Sequence, residues 1–168
     1  MWQFRWWAWV VAFVAAALMD VALLPNIFPA ASVPDLVLPV VIAFALFETP
    51  RRGLLLGAVG GLVLDLVAGR LIGLNMTLYA GVGFLVASIQ SKVVRDPVFV
   101  PGLIAAGMET LARIGQWVVV ALFGFPVPPQ VFFAPLPVFV LFGLFITPGL
   151  IGVLHFRPRH EVDARLKF

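Results

Sequence analysis

The chain has no cysteine, two histidines, one tyrosine and few charges: 11% of its 168 residues are Asp, Glu, Lys or Arg. Without cysteine, disulfides and thiolate chemistry are excluded, and His155 and His160 near the C-terminal end supply too few ligands for a zinc-like site. There is no Gly-x-Ser-x-Gly, no His-Glu-x-x-His and no phosphate loop, and Gly81-Val82-Gly83 is too short to form one. Neither an enzyme, nor a cofactor, nor a metal centre is expected. The net charge of +3 comes from small groups of basic residues between apolar runs, with no basic stripe interleaved with aromatics, which argues against nucleic acid as a partner.

What the chain has instead is apolar length. It is 62% hydrophobic with a mean hydropathy of +1.10, against roughly 45–50% apolar residues in soluble domains. No polar or low-complexity linker divides it, so a single membrane domain is expected. A helix needs about 20 apolar residues to cross a hydrocarbon core of roughly 30 Å. Six segments present themselves, at about residues 6–24, 34–47, 53–67, 71–89, 98–123 and 132–156, followed by a basic tail over 157–168. The expected fold is therefore all-α, a six-transmembrane-helix bundle.

The second segment is the shortest. It opens on Ser32-Val33-Pro34-Asp35, a Ser-x-x-Asp capping pattern with proline in the first turn. About 14 residues rise only about 21 Å, so a re-entrant segment is the alternative to a full crossing.

Basic residues in short loops collect on the cytoplasmic side. With the N-terminus inside, Arg5, Arg51, Arg52, Lys92, Arg95, Arg157, Arg159, Arg165 and Lys167 are all cytoplasmic, nine of the eleven basic residues. Of the other two, Arg70 falls in an outer loop and Arg113 within the fifth span. Both termini are then inside. A cleaved signal peptide is the competing reading of the first segment, but the apolar run exceeds the usual 7–15 residues and carries Asp20. Trp2, Trp6, Trp7 and Trp9 read as an interfacial aromatic belt.

This orientation gathers the polar residues of the spans at one level. Asp20 and Asp65 lie near the outer ends of spans one and three, Asp35 at the outer start of span two, Arg70 in the adjoining loop, and Asn75 just inside span four. Arg113 sits in the outer half of span five. Such residues either cap helix ends or line a polar pocket in the outer leaflet. Glu109 and Arg113 are four apart with the acid first, the favourable order for an intrahelical ion pair. Small residues mark close packing: Ala8, Ala12 and Ala16 in span one, and Gly53, Gly57 and Gly61 in span three. Either stripe serves internal packing or a partner's helix.

The order Pro34-Asp35-Leu36-Val37-Leu38, Arg51-Arg52-Gly53, then Gly57, Gly61, Asp65, Gly69, Gly73-Leu74-Asn75 resembles the MreD family of rod shape-determining proteins. The likeness is carried by the stretch from Pro34 to about Ala80, with hydropathy and length agreeing elsewhere. It implies a non-catalytic component of the cell-elongation (peptidoglycan synthesis) machinery in the bacterial inner membrane. The implied partners are MreC directly, and through it MreB, RodA and penicillin-binding protein 2. The family is also similar in fold to substrate-binding S components of energy-coupling-factor vitamin transporters. That supplies an alternative function, in which the Ala8, Ala12 and Ala16 stripe docks a coupling protein and the outer pocket takes a vitamin.

Overall fold

In the computed structural model every regular element among the described residues is helical. The structure describes residues 6–28, 34–69, 73–93, 99–124 and 128–155, with the backbone alone described at 6–9, 90–93, 99, 131–132 and 153–155. Arg5, Ser32, Arg70, Arg95, the basic tail and the side chain of Ala8 thus lie outside what is described.

Helix α1 (Trp6–Leu18) runs through a π-helical turn at Met19–Leu23 into α2 (Leu24–Ile27). There follow α3 (Val37–Ala45), α4 (Pro50–Ala68), α5 (Leu74–Val93), α6 (Phe99–Leu122), the short α7 (Pro129–Phe133) and α8 (Leu136–His155). Two stretches are long and apolar enough to cross a membrane, Val10–Ile27 and Val100–Leu122; Leu74–Ile89 and Leu136–Gly152 are apolar but shorter.

The centre of the bundle is α3. Val37, Leu38, Pro39, Val40, Val41, Ile42, Ala43 and Ala45 are all buried, because a helix that is apolar on every side belongs in a core. Phe13 of α1 stands edge-on to Phe44, with ring centroids 6.2 Å apart. With the turns that carry it to Glu48, α3 rises about 18 Å, well short of the hydrocarbon thickness. The segment also starts later than its capping pattern indicates. The regular helix begins at Val37, and the Asp35 carboxylate accepts the N–H groups of Val37 (2.9 Å) and Leu38 (3.2 Å).

Helices α4 and α5 form the tightest pair. α4 ends on Gly69, whose left-handed backbone (φ 60°, ψ 28°) reverses the chain; Gly73 at φ 100° precedes α5. Along the antiparallel pair Gly53 faces the backbone of Gly83, Gly57 that of Tyr79 and Gly61 that of Asn75, so closely that a Cβ at any of the three would fall on the facing main chain. The glycine stripe is therefore consumed inside the bundle, the internal one of its two sequence readings. The alanine stripe behaves likewise where it is described: Ala16 is buried and Ala12 packs against the core.

Helices α6 and α8 form a second antiparallel pair. Gly102 lies under Leu144 and Pro148, Glu109 beside Gly143, and Arg113 beside Phe139.

Candidate functional site

Most of the buried polar side chains meet at one end of the bundle. It is the level shared by the ends of α1 and α4, the starts of α3, α5 and α8, and the second half of α6.

Asp65, 0% exposed near the end of α4, faces the start of α5. Its two carboxylate oxygens accept four hydrogen bonds: from the N–H of Gly73 (2.8 Å), Asn75 (3.3 Å) and Met76 (3.2 Å), and from Asn75 Nδ2 (2.8 Å). The first turn of a helix leaves its N–H groups without intrahelical partners, so a carboxylate from the preceding helix caps it across the turn. Asn75 Oδ1 in turn accepts from Gln116 Nε2 at 2.8 Å, and Gln116 Oε1 accepts from Arg113 at 3.4 Å. The chain of bonds thus runs from α4 through α5 to α6.

A second carboxylate arrangement caps α3. Asp20 is 8% exposed, and its oxygens accept from the N–H of Leu36 (2.8 Å) and Val37 (3.4 Å). The π-helical turn places it there. A π turn inserts one residue into the α repeat, rotating the side chains that follow, and such turns are frequent at functional positions. Asp35 binds α3 with one oxygen and accepts the Tyr79 hydroxyl with the other. α1, α3 and α5 are stapled together by two carboxylates.

Of the residues proposed for the outer pocket, the structure thus brings Asp65, Asn75 and Arg113 into one network and Asp20 and Asp35 into its neighbour. Arg70 lies outside the described residues. The expected ion pair between Glu109 and Arg113 is corrected. Among the described residues the one ion pair is Arg52 with Glu48 at 3.2 Å. The Arg113 guanidinium lies 3.8 Å from the centre of the Phe139 ring and reaches Gln116, while Glu109 turns to α8, where Gly143 leaves room for its side chain. The i,i+4 pairing of an isolated helix yields here to tertiary partners.

Three participants are absent from the residues singled out by sequence. Tyr79 is the single tyrosine of the chain, fully buried inside an apolar segment, and that isolation is a signal that marks it. Gln116 stands three residues after Arg113, one helical turn along the same face. Phe139 carries no signal, since the chain has 16 phenylalanines.

The network is hydrogen-bonded within itself and surrounded by packed apolar side chains. An apolar furrow runs along α8, lined by Val138, Leu141, Phe142, Phe145 and Ile146. No group of three or more acidic or histidine side chains among the described residues is arranged to hold a metal ion. Chemically, these residues cap, staple and orient helices.

Compared with known protein families, residues 2–148 match the family described as rod shape-determining protein MreD. No curated protein and no solved structure gives a match.

Proposed function

The chain belongs to the MreD family of rod shape-determining proteins, and from that premise we propose that it is a non-catalytic membrane scaffold of the bacterial cell-elongation machinery. It binds MreC directly and links it to MreB and to RodA and penicillin-binding protein 2. It resides in the cytoplasmic membrane as a multi-pass protein with both termini inside. The polypeptide passes the membrane six times, the second passage being made by the short α3 and its flanking turns within the shelter of the other helices.

The observation that carries this reading is the family match across residues 2–148. A scaffold also needs a stiff body, and the two capping networks together with the glycine contacts of α4 and α5 supply one. In lipid, helix association relies on such close packing and interhelical hydrogen bonds, because apolar surface gains little by leaving lipid tails for another apolar helix.

The test is co-expression with MreC followed by affinity purification of either partner. A stable complex that survives solubilisation is the expected result. Recovery of each protein alone would overturn the proposed partnership. The transporter alternative needs an accessible alanine stripe and an open outer pocket. Ala12 and Ala16 face the core, and the outer polar groups are engaged with one another.

A further inference from the structure

Two buried polar side chains are left out of the networks, Glu109 of α6 at 2% exposed and Thr147 of α8 at 0%. Among the described residues Glu109 makes no hydrogen bond and no ion pair, and the Thr147 hydroxyl has no partner. That hydroxyl departs from the habit of the others. Thr77, Ser88 and Thr110 each donate to the carbonyl four residues back in their own helix, at 2.8, 2.7 and 2.9 Å, whereas Thr147 does not. A buried hydroxyl that forgoes its own backbone needs a partner elsewhere.

The register of α6 and α8 brings these two residues together. Phe139, Gly143, Thr147 and Ile151, four residues apart, form one buried stripe on α8. Arg113 lies against Phe139, and a Cβ on Gly143 would sit 3.3 Å from Glu109 Cγ and 3.6 Å from Ala105 Cβ. Thr147 stands one turn further along the stripe, in the direction in which α6 runs back from Glu109 to Ala105. Helical side chains lean toward the N-terminus of their own helix. In an antiparallel pair the two leanings are opposed, so Glu109 and Thr147 converge beside Gly143, where the missing side chain leaves space. A third polar group adjoins them. Pro148 has no N–H to give the carbonyl of Leu144, and that carbonyl faces α6, where a Cβ on Gly102 would approach it to 3.0 Å.

We propose that Glu109, Thr147 and the Leu144 carbonyl form a binding site for one water molecule, which joins α6 to α8 at the proline of α8. Buried waters make about three hydrogen bonds, to polar groups that otherwise lack partners. Here the water accepts from the Thr147 hydroxyl and gives its two protons to the Glu109 carboxyl and the Leu144 carbonyl. A direct bond from Thr147 to Glu109 would leave the carbonyl without a donor. The site stands apart from the proposed scaffold role, and either reading survives failure of the other.

Two measurements on the full chain test the site. The first is an experimental structure in lipid nanodiscs at a resolution that shows ordered water. Density is expected within hydrogen-bonding distance of both Thr147 Oγ1 and the Glu109 carboxyl, retained in Thr147→Ser and lost in Thr147→Val. The second is a double-mutant cycle of unfolding midpoints. Thr147→Val, which keeps the shape and removes the hydroxyl, should lower the midpoint in wild type and lower it less in a Glu109→Met background, because partners of one water are coupled. If Glu109→Met does not fold, the comparison of Thr147→Ser with Thr147→Val carries the test, the serine retaining the density and the valine losing it. Wild-type density absent from the site, a Thr147 hydroxyl bonded to the Gly143 carbonyl or directly to Glu109, or equal losses in the two backgrounds would overturn the proposal.

Discussion

Gly57→Ala adds one carbon where the structure has no space for it. The new Cβ falls on the carbonyl group of Tyr79 in the facing helix, and a main-chain carbonyl in a helical ladder cannot rotate aside as a side chain can. α5 must move away from α4. Overpacking of this kind costs about 1–3 kcal/mol. The shift also stretches the Tyr79 bond to Asp35 and the Asn75 bond to Asp65, each worth roughly 0.5–1.5 kcal/mol. Alanine's better helix propensity returns about 1 kcal/mol. The net expectation is a loss of about 2–3 kcal/mol. Gly81→Ala provides the control on the facing helix, since Gly81 is exposed and a Cβ there meets nothing within 4 Å; it should be neutral or gain up to about 1 kcal/mol. Reversible unfolding in mixed micelles, measured for both variants, reads the difference directly. If Gly57→Ala proves as stable as Gly81→Ala, the close approach of α4 and α5 is wrong.

Asp65→Asn exchanges one acceptor oxygen for an amide that meets N–H donors, so it should destabilise by about 1–3 kcal/mol, and Asp65→Ala by more; denaturation midpoints of the two variants check the order. The absence of cysteine makes topology directly measurable: a membrane-impermeant thiol reagent applied to spheroplasts should label Arg70→Cys and leave Thr49→Cys unlabelled until the membrane is opened. Labelling of both from outside would contradict the proposed orientation. Water-soluble vitamins should leave the thermal midpoint unchanged, and a shift with one vitamin alone would favour the transporter reading.

The positions of the helices were largely legible in hydropathy, because each apolar segment is closed by charge, glycine or proline, as at Thr49-Pro50-Arg51 and Leu66 to Gly73. Hydropathy does not separate a helix that faces lipid from one buried among other helices, since both are apolar. The short reach of α3 was for that reason visible only as a deficit of length. The π turn at Met19–Leu23 has no signature in Met-Asp-Val-Ala-Leu, yet it decides where Asp20 points. The glycine stripe was legible as close packing but not as to its partner. Gly83 answers that, because its own missing Cβ is needed where it meets Gly53. The i,i+4 rule misjudged Glu109 and Arg113, since it describes a helix alone and the half-buried Arg113 guanidinium settles on Phe139 and Gln116.

The two ends of the α4 and α5 pair are held by partly different means. Toward the start of α4, backbone lies on backbone at Gly53 and Gly83; toward its end, the hydrogen bonds of Asp65, Asn75, Gln116 and Arg113 add to the backbone contact of Gly61 with Asn75. Polar groups turned inward leave an outer surface of Val11, Leu18, Leu55, Leu103, Leu111 and Phe145, all exposed. A partner helix laid on such a surface is no more apolar than the lipid it displaces. Its affinity must then come from shape, meaning ridges of leucine and phenylalanine beside exposed glycines such as Gly107 and Gly149. On the proposed scaffold role, selectivity by shape requires that the surface hold its form. The capping networks serve that end, because they fix the rotation of α1, α3, α5 and α6 about their axes and with it which side chains each helix presents to the membrane.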